Sequence, residues 1–142
     1  MAIQNTIPKQ ITLPHQLNDQ LLEHALTSPG FEVCGLIGSN DNQPVTVYPV
    51  KNIADDPVHR FLMDPEEQID AMRRMREANE LLWGIYHSHP DTPPEPSEID
   101  LRMAAYPDVY YFIISLAGDT PEFGYFYFDG AGFSKTDLGV IQ

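Results

Sequence analysis

The feature that most constrains the fold of this chain is a run of apolar residues at positions 81–87, with the sequence LLWGIYH. A strand with one face in water alternates apolar and polar residues, whereas a nearly unbroken apolar run of this length is typical of a strand covered on both faces. The run therefore predicts a buried strand inside an α/β fold. It leads directly into two histidines, His87 and His89.

Helical periodicity marks three other segments. Residues 14–27 have leucines at helical spacing, a proline in the favourable first turn, and the helix-ending pair Pro29-Gly30 after them. A second helix is predicted at 65–80, where Asp64 and Pro65 form a typical helix start. A third, short helix is expected at 97–106.

The remaining apolar segments are predicted to be strands, at 33–38, 44–50, 81–87, 109–116, 123–128 and 133–138. The first two are expected to pair with each other, and the turn dipeptide Asp129-Gly130 joins the last two. Strands and helices alternate in the first two thirds of the chain, and strands follow one another at its end. Because no repeat or long linker divides the chain, residues 1–142 are expected to form a single domain.

Composition excludes several functional classes. The formal net charge is −13, which disfavours binding to nucleic-acid phosphates or to anionic membranes. The single cysteine, Cys34, excludes a disulfide framework and favours a reducing compartment, so we expect the cytoplasm. Residues 1–13 have no long apolar run, and about 18 consecutive apolar residues occur nowhere, so neither a signal peptide nor a membrane span is expected.

The two histidines begin a pattern with metal-ligand spacing. Since side chains alternate along a strand, His87 and His89 are predicted to project from the same face at its carboxyl end. Ser97 and Asp100, three apart at a helix start, also lie near one another. The seven residues between the pairs are enough to bring Asp100 beside the imidazoles. Two imidazoles and one carboxylate suit Zn²⁺, with a fourth position left open as in catalytic zinc sites.

Other interpretations of these residues remain open. Ser97 and Asp100 also match a capping box, which is compatible with metal binding. Asp91 is a competing carboxylate, but Pro90 weakens the continuation of the strand, so Asp100 is preferred. Two histidines and a carboxylate could also hold Fe(II) for oxygenation. A zinc nucleobase deaminase is excluded, because its Cys-x-x-Cys segment cannot be built from one cysteine.

Residues 87–90 (HSHP), the seven-residue gap and residues 97–100 (SEID) together resemble the signature of the JAMM (MPN+) zinc metallopeptidases. Residues 32–38 (EVCGLIG) are similar to the Glu-bearing strand of that family. With Asn52 and the segments 61–65 and 83–86, the resemblance covers most of the chain from Phe31 to Leu116. It implies a single-domain α/β/α sandwich with a central mixed β-sheet, an architecture similar to that of cytidine deaminases.

The resemblance also implies a role for each of five residues. His87, His89 and Asp100 would bind one Zn²⁺, Glu32 would act as general acid and base, and Ser97 would stabilise the oxyanion during peptide or isopeptide hydrolysis. The compact chain looks like the small prokaryotic members associated with ubiquitin-like sulfur-carrier proteins. A carrier with a C-terminal Gly-Gly tail is therefore the implied partner. A catalytically silent MPN-type scaffold is the alternative, and the acidic balance disfavours a DNA-repair-associated relative.

Several chemically notable residues receive no functional role. Cys34 lies in an apolar strand and is expected to be a small buried hydrophobe. The aromatic residues at 125–128 are expected to pack one strand face against the core. Three further histidines lack metal-ligand spacing: His15, His24 and His59.

Overall fold

The computed structural model describes residues 10–138, so the expectation about a leader falls mostly on residues outside this range. The described strands are β1 (Gln10–Ile11), β2 (Cys34–Asn40), β3 (Gln43–Val50), β4 (Leu81–His89), β5 (Val109–Ser115), β6 (Glu122–Phe128) and β7 (Phe133–Leu138). The described helices are α1 (His15–Thr27), α2 (Pro65–Glu77) and α3 (Glu98–Met103). None of these helices is long and apolar enough to cross a membrane.

The described strands form one mixed sheet in the order β1-β7-β6-β5-β4-β2-β3. The β4–β5 and β1–β7 pairs are parallel, and the other pairs are antiparallel. β2 and β3 pair with each other, as the sequence predicts. β4 lies between β2 and β5, and its residues from Gly84 to His89 are all buried, which explains the apolar run.

Helices cover both faces of the sheet, which confirms the predicted α/β/α sandwich. On one face, α1 packs against the sheet through Leu17, Leu21 and Ala25, in a core that also contains Tyr86 and Phe112. On the other face, α2 contributes a second core, whose members include Ala71, Met75, Ile85, Tyr111 and Ile113. Consecutive residues of β4 and β5 thus enter opposite cores, as the alternation of strand side chains requires.

Two predicted helix ends are wrong by about three residues. α3 ends at Met103 rather than at 106, because Pro107 disfavours helical geometry in the residue before it and Ala104 is already extended (φ −65°, ψ 123°). α2 ends at Glu77 rather than at 80, and Asn79 adopts a left-handed conformation (φ 60°). The strand β1 was not predicted, since two residues are too few to show a periodicity.

Candidate metal centre

The candidate site lies at the carboxyl end of β4. Ile85 belongs to the core on the α2 face and Tyr86 to the core on the α1 face. By the same alternation, His87 and His89 share the α2 face. Both imidazoles are buried, with 1% and 3% of their surface exposed. A strand that ends in the middle of the sheet therefore presents two converging imidazoles, as the sequence predicts.

The start of α3 brings a carboxylate to the histidines. The Ser97 backbone N–H donates to Asp100 Oδ2 (2.9 Å), and the Asp100 backbone N–H donates to Ser97 Oγ (3.0 Å), so the capping box forms. The same Asp100 oxygen lies 3.1 Å from His87 Nε2 and 3.2 Å from His89 Nε2. Capping thus fixes the carboxylate that faces the imidazoles, whereas Asp91 is exposed.

The three converging atoms have the geometry of a zinc site. His87 Nε2 and His89 Nε2 are 3.1 Å apart, so these nitrogens and Asp100 Oδ2 form a nearly equilateral triangle. Tetrahedral zinc with bonds of about 2.0–2.1 Å requires its ligand atoms to be about 3.3 Å apart. The His89 Nδ1–H donates to the carbonyl of Pro93 (2.8 Å), which leaves the lone pair on Nε2 for a metal. The residues present therefore fit a zinc ion.

The electrostatics of Asp100 and His87 favour a bound cation. Burial alone would raise the pKa of Asp100, but its hydrogen bonds with His87, His89 and the Ser97 N–H and the charge of His87 together hold that pKa well below its usual range, so this carboxylate stays charged. Burial lowers the pKa of His87, which favours the neutral imidazole that binds metals. The His87 ring also stacks on Phe61, at 4.6 Å between ring centroids. Phe61 holds this imidazole in place, and only its presence in the family-like segment 61–65 pointed to such a role.

Glu32 precedes β2 and is placed by the pairing of β2 with β4. Cys34 lies opposite His87, and the Ser88 N–H donates to the carbonyl of Val33 (3.0 Å). Continued by one more residue, this antiparallel register sets Glu32 opposite His89 on the same sheet face. The Glu32 backbone is held from both sides, because its N–H donates to the Pro57 carbonyl (2.7 Å) and its carbonyl accepts from Asn52 Nδ2 (2.9 Å).

The Glu32 side chain is a buried carboxyl group without a hydrogen-bond partner in the described residues. Only 5% of the residue is exposed, and its Oε1 atom is unpaired. Burial raises the pKa of Glu32 to about 8, although the nearby His89 opposes this shift. A carboxyl group of such a pKa beside a cluster of candidate metal ligands is suited to accept and return a proton near neutral pH.

In the metal-free protein, Glu32→Gln is expected to stabilise the fold more at pH 8 than at pH 5. The folded pKa lies above the ordinary value of 4.5, so the folded state binds the proton more tightly than the unfolded chain does. The free energy of unfolding of the wild type therefore falls as the pH rises from about 4.5 to 8, by about 1.4 kcal/mol for each pH unit, whereas glutamine does not titrate. Urea unfolding of the wild type and the variant at both pH values measures this difference.

Glu23→Gln, on the exposed face of α1, removes the same charge and serves as the control. Its effect on the free energy of unfolding should be small at both pH values. Equal stabilisation by both variants, or a Glu32→Gln gain that does not grow with pH, would mean that Glu32 is not held in a charge-disfavouring environment.

The residues without a predicted role have structural contacts. Cys34 is fully buried, and burial raises its pKa to about 12, as expected of an inert thiol. Phe126 and Phe128 are buried in the core, as predicted for their strand. His24 forms a 2.6 Å hydrogen bond with the Tyr86 hydroxyl, a contact that sequence spacing could not reveal because 62 positions separate the two residues.

Comparison with known proteins places most of the chain in one family. The family model of prokaryotic homologues of the JAB domain matches residues 14–126. A desampylase from Haloferax volcanii is 35% identical over 115 residues, which cover 77% of this chain and 83% of that protein. A CysO-cysteine peptidase from Mycobacterium bovis is 31% identical over 101 residues, which cover 70% of this chain and 68% of that protein.

Solved structures share the same fold. The solution structure of a protein from Desulfitobacterium hafniense is 35% identical and superposes with a TM-score of 0.81, covering 94% of this chain and 93% of that one. A structure described as a JAMM metalloprotease-like zinc site in the proteasome and signalosome has a TM-score of 0.55 at 15% identity. That match covers 94% of this chain and 100% of the other, and it shows the likeness of fold.

Proposed function

Because this chain belongs to the family of prokaryotic homologues of the JAB domain, we propose that it is a zinc-dependent peptidase. Its proposed reaction is hydrolysis of the peptide or isopeptide bond after the Gly-Gly tail of a ubiquitin-like sulfur-carrier protein. The observation that carries this proposal is the triangle of three buried ligand atoms beside the buried carboxyl group of Glu32. The relatives named desampylase and CysO-cysteine peptidase favour hydrolysis of this kind.

The proposed metal ligands are His87 and His89 through Nε2 and Asp100 through Oδ2. A zinc ion held by these residues would supply Lewis acidity for the attack of water on the scissile carbonyl. Glu32 accepts the proton of the attacking water and passes it to the leaving amine, for which its raised pKa is suited. Its fixed backbone and burial keep the carboxyl group oriented without competing hydrogen bonds in the described residues.

Ser97 is the proposed oxyanion donor. Its oxygen accepts a hydrogen bond from the Asp100 N–H, so the hydroxyl hydrogen is free to donate elsewhere. The residue is exposed at the start of α3, where an incoming substrate can reach it. Such a donor stabilises the charge that develops on the carbonyl oxygen of the substrate during attack.

The test of this function is metal analysis combined with intact mass spectrometry of a carrier protein. We expect one zinc per chain and removal of a residue attached after Gly-Gly. A chelator should abolish cleavage, and added zinc should restore it. Iron in place of zinc would favour the oxygenase alternative, which has no need of Glu32. If the purified protein contains no metal, the catalytically silent scaffold is the remaining interpretation. If it contains zinc but does not cleave the carrier proteins of its source organism, the proposed substrate class is wrong.

Ser97→Ala is expected to lower kcat by about 10²–10³-fold, the usual loss for one oxyanion donor. It should also destabilise the protein by about 1 kcal/mol, because the α3 cap is removed. Ser97→Asp keeps a capping oxygen but has no hydroxyl, so stability should return while the rate stays low. Ser97→Thr keeps the capping oxygen and the hydroxyl group, so it should restore both the stability and the rate. If Ser97→Asp cleaved at the wild-type rate, Ser97 would only cap α3 and would not stabilise the oxyanion.

A further inference from the structure

A cavity of about 160 Å³ adjoins the proposed metal ligands. His87 and Asp100 form part of its wall, so any group that fills it lies beside the metal cluster. Its inner surface includes the buried residues Met63, Ile85 and Tyr111. Two apolar residues that line it are exposed to solvent, Leu62 at 47% and Met103 at 55%. The cavity therefore has a solvent-accessible apolar entrance and a buried apolar floor.

The polar groups in the wall are largely occupied. The Gln68 amide donates a hydrogen bond to the Tyr106 hydroxyl (2.9 Å). The carboxylate of Asp100 is occupied by the two histidines and the Ser97 N–H. The described residues that line the cavity include no lysine or arginine. A charged side chain placed there would lose its hydration and would find no unoccupied side chain of opposite charge in the wall, which disfavours its binding.

The proposed carrier tail cannot fill this cavity, because glycine has no side chain. The first residue on the other side of the scissile bond is the nearest part of the substrate that has one. A cavity of about 150 Å³ lined by apolar residues is large enough for a benzene ring. The volume found here therefore suits a side chain as large as that of leucine, methionine or phenylalanine.

We propose that this cavity binds the side chain of the residue released after Gly-Gly, and that it selects a large apolar residue joined through its α-amine. The inference rests on the proposed function and adds to it the chemical class of the leaving residue. Filling an apolar pocket discriminates by about 10–200-fold for each methylene. Leucine should therefore be released at least about 10-fold more efficiently than alanine, and aspartate more slowly still.

The first measurement is kcat/KM for a peptide series ending in Gly-Gly-X, where X is leucine, phenylalanine, alanine or aspartate, together with a lysine joined through its side-chain amine. Ala104→Leu, which places a larger side chain in the cavity wall, should reduce the preference for leucine over alanine by about 10-fold. Glu23→Gln, on the exposed face of α1 and outside the cavity wall, serves as the control and should release leucine and alanine at the wild-type rates.

The second measurement detects binding without requiring cleavage. Methyl-labelled methionine in zinc-loaded Glu32→Gln reports on Met63 and Met103, which line the cavity, while Met72 and Met75 on α2 lie outside its wall. Acetyl-Gly-Gly-Leu should shift the NMR signals of the first two methyl groups and leave the second two nearly unchanged. Acetyl-Gly-Gly-Asp should produce much smaller shifts. This readout also covers the case in which Ala104→Leu does not fold.

The two measurements separate failure of the inference from failure of the proposed function. Cleavage of all peptides at similar rates, without selective methyl shifts, would overturn the cavity assignment and leave the peptidase intact. Better release of the side-chain-linked lysine would also overturn it. Selective methyl shifts without any cleavage would support the cavity as an apolar subsite and contradict the peptidase. Neither shifts nor cleavage would overturn both.

Discussion

Glu32→Gln is expected to lower kcat for release of the tail extension by about 10²–10⁴-fold while one zinc per chain is retained. Glutamine has nearly the same shape as glutamate but cannot accept a proton from water or deliver one to the leaving amine. Glu32 is outside the triangle of proposed ligands, so the metal should remain bound. Intact mass spectrometry of quenched reactions at saturating carrier protein measures kcat, and metal analysis of the same sample measures the zinc content per chain.

The predicted pH dependence of stability makes this experiment more decisive. In the absence of metal, the Glu32→Gln variant should be more stable than the wild type. If the variant also binds zinc and is inactive, misfolding cannot explain its loss of activity. Such a gain in stability with a loss of activity is expected when a site holds a charged group in an unfavourable environment. Glu23→Gln should have wild-type activity. Glu32→Gln activity within about 10-fold of the wild type would mean that another group transfers the proton.

The histidine pair could be predicted because its placement depends on a local rule. Alternation along a strand puts residues two apart on one face, whatever surrounds the strand. The capping box at Ser97 is equally local, since it depends on four consecutive residues. For the same reason, the helices and all the longer strands could be located from periodicity, with errors confined to their ends.

The position of Glu32 is of a different kind. Its proximity to His89 depends on the register between β2 and β4, which are more than 40 positions apart in the chain. Periodicity does not encode such a register, so only the resemblance to a family could select this carboxylate from the others. The stacking of Phe61 on His87 and the cavity beside them depend on side-chain packing between distant segments. Such features follow from the fold, and no short sequence pattern contains them.

His89→Ala is expected to abolish both zinc binding and cleavage. The imidazole is one of three proposed ligands, and the Nδ1 bond to the Pro93 carbonyl holds its metal-binding nitrogen in place. A catalytic zinc site has three protein ligands, and two would not retain the ion through purification. Zinc should raise the unfolding temperature of the wild type, because a ligand that binds only the folded state stabilises it. The variant should show no such increase.

His59→Ala is the matched control for the loss of an imidazole. His59 is exposed and lies beside Asp56 at 3.0 Å, outside the buried ligand group. It should therefore keep one zinc per chain, the zinc-dependent rise in unfolding temperature and full cleavage. If His89→Ala retained zinc and still lost cleavage, His89 would act on the substrate rather than the metal, and the ligand triangle would need another member. Retention of cleavage by metal-free His89→Ala would instead contradict the zinc mechanism itself, because Glu32 and Ser97 would then suffice for hydrolysis.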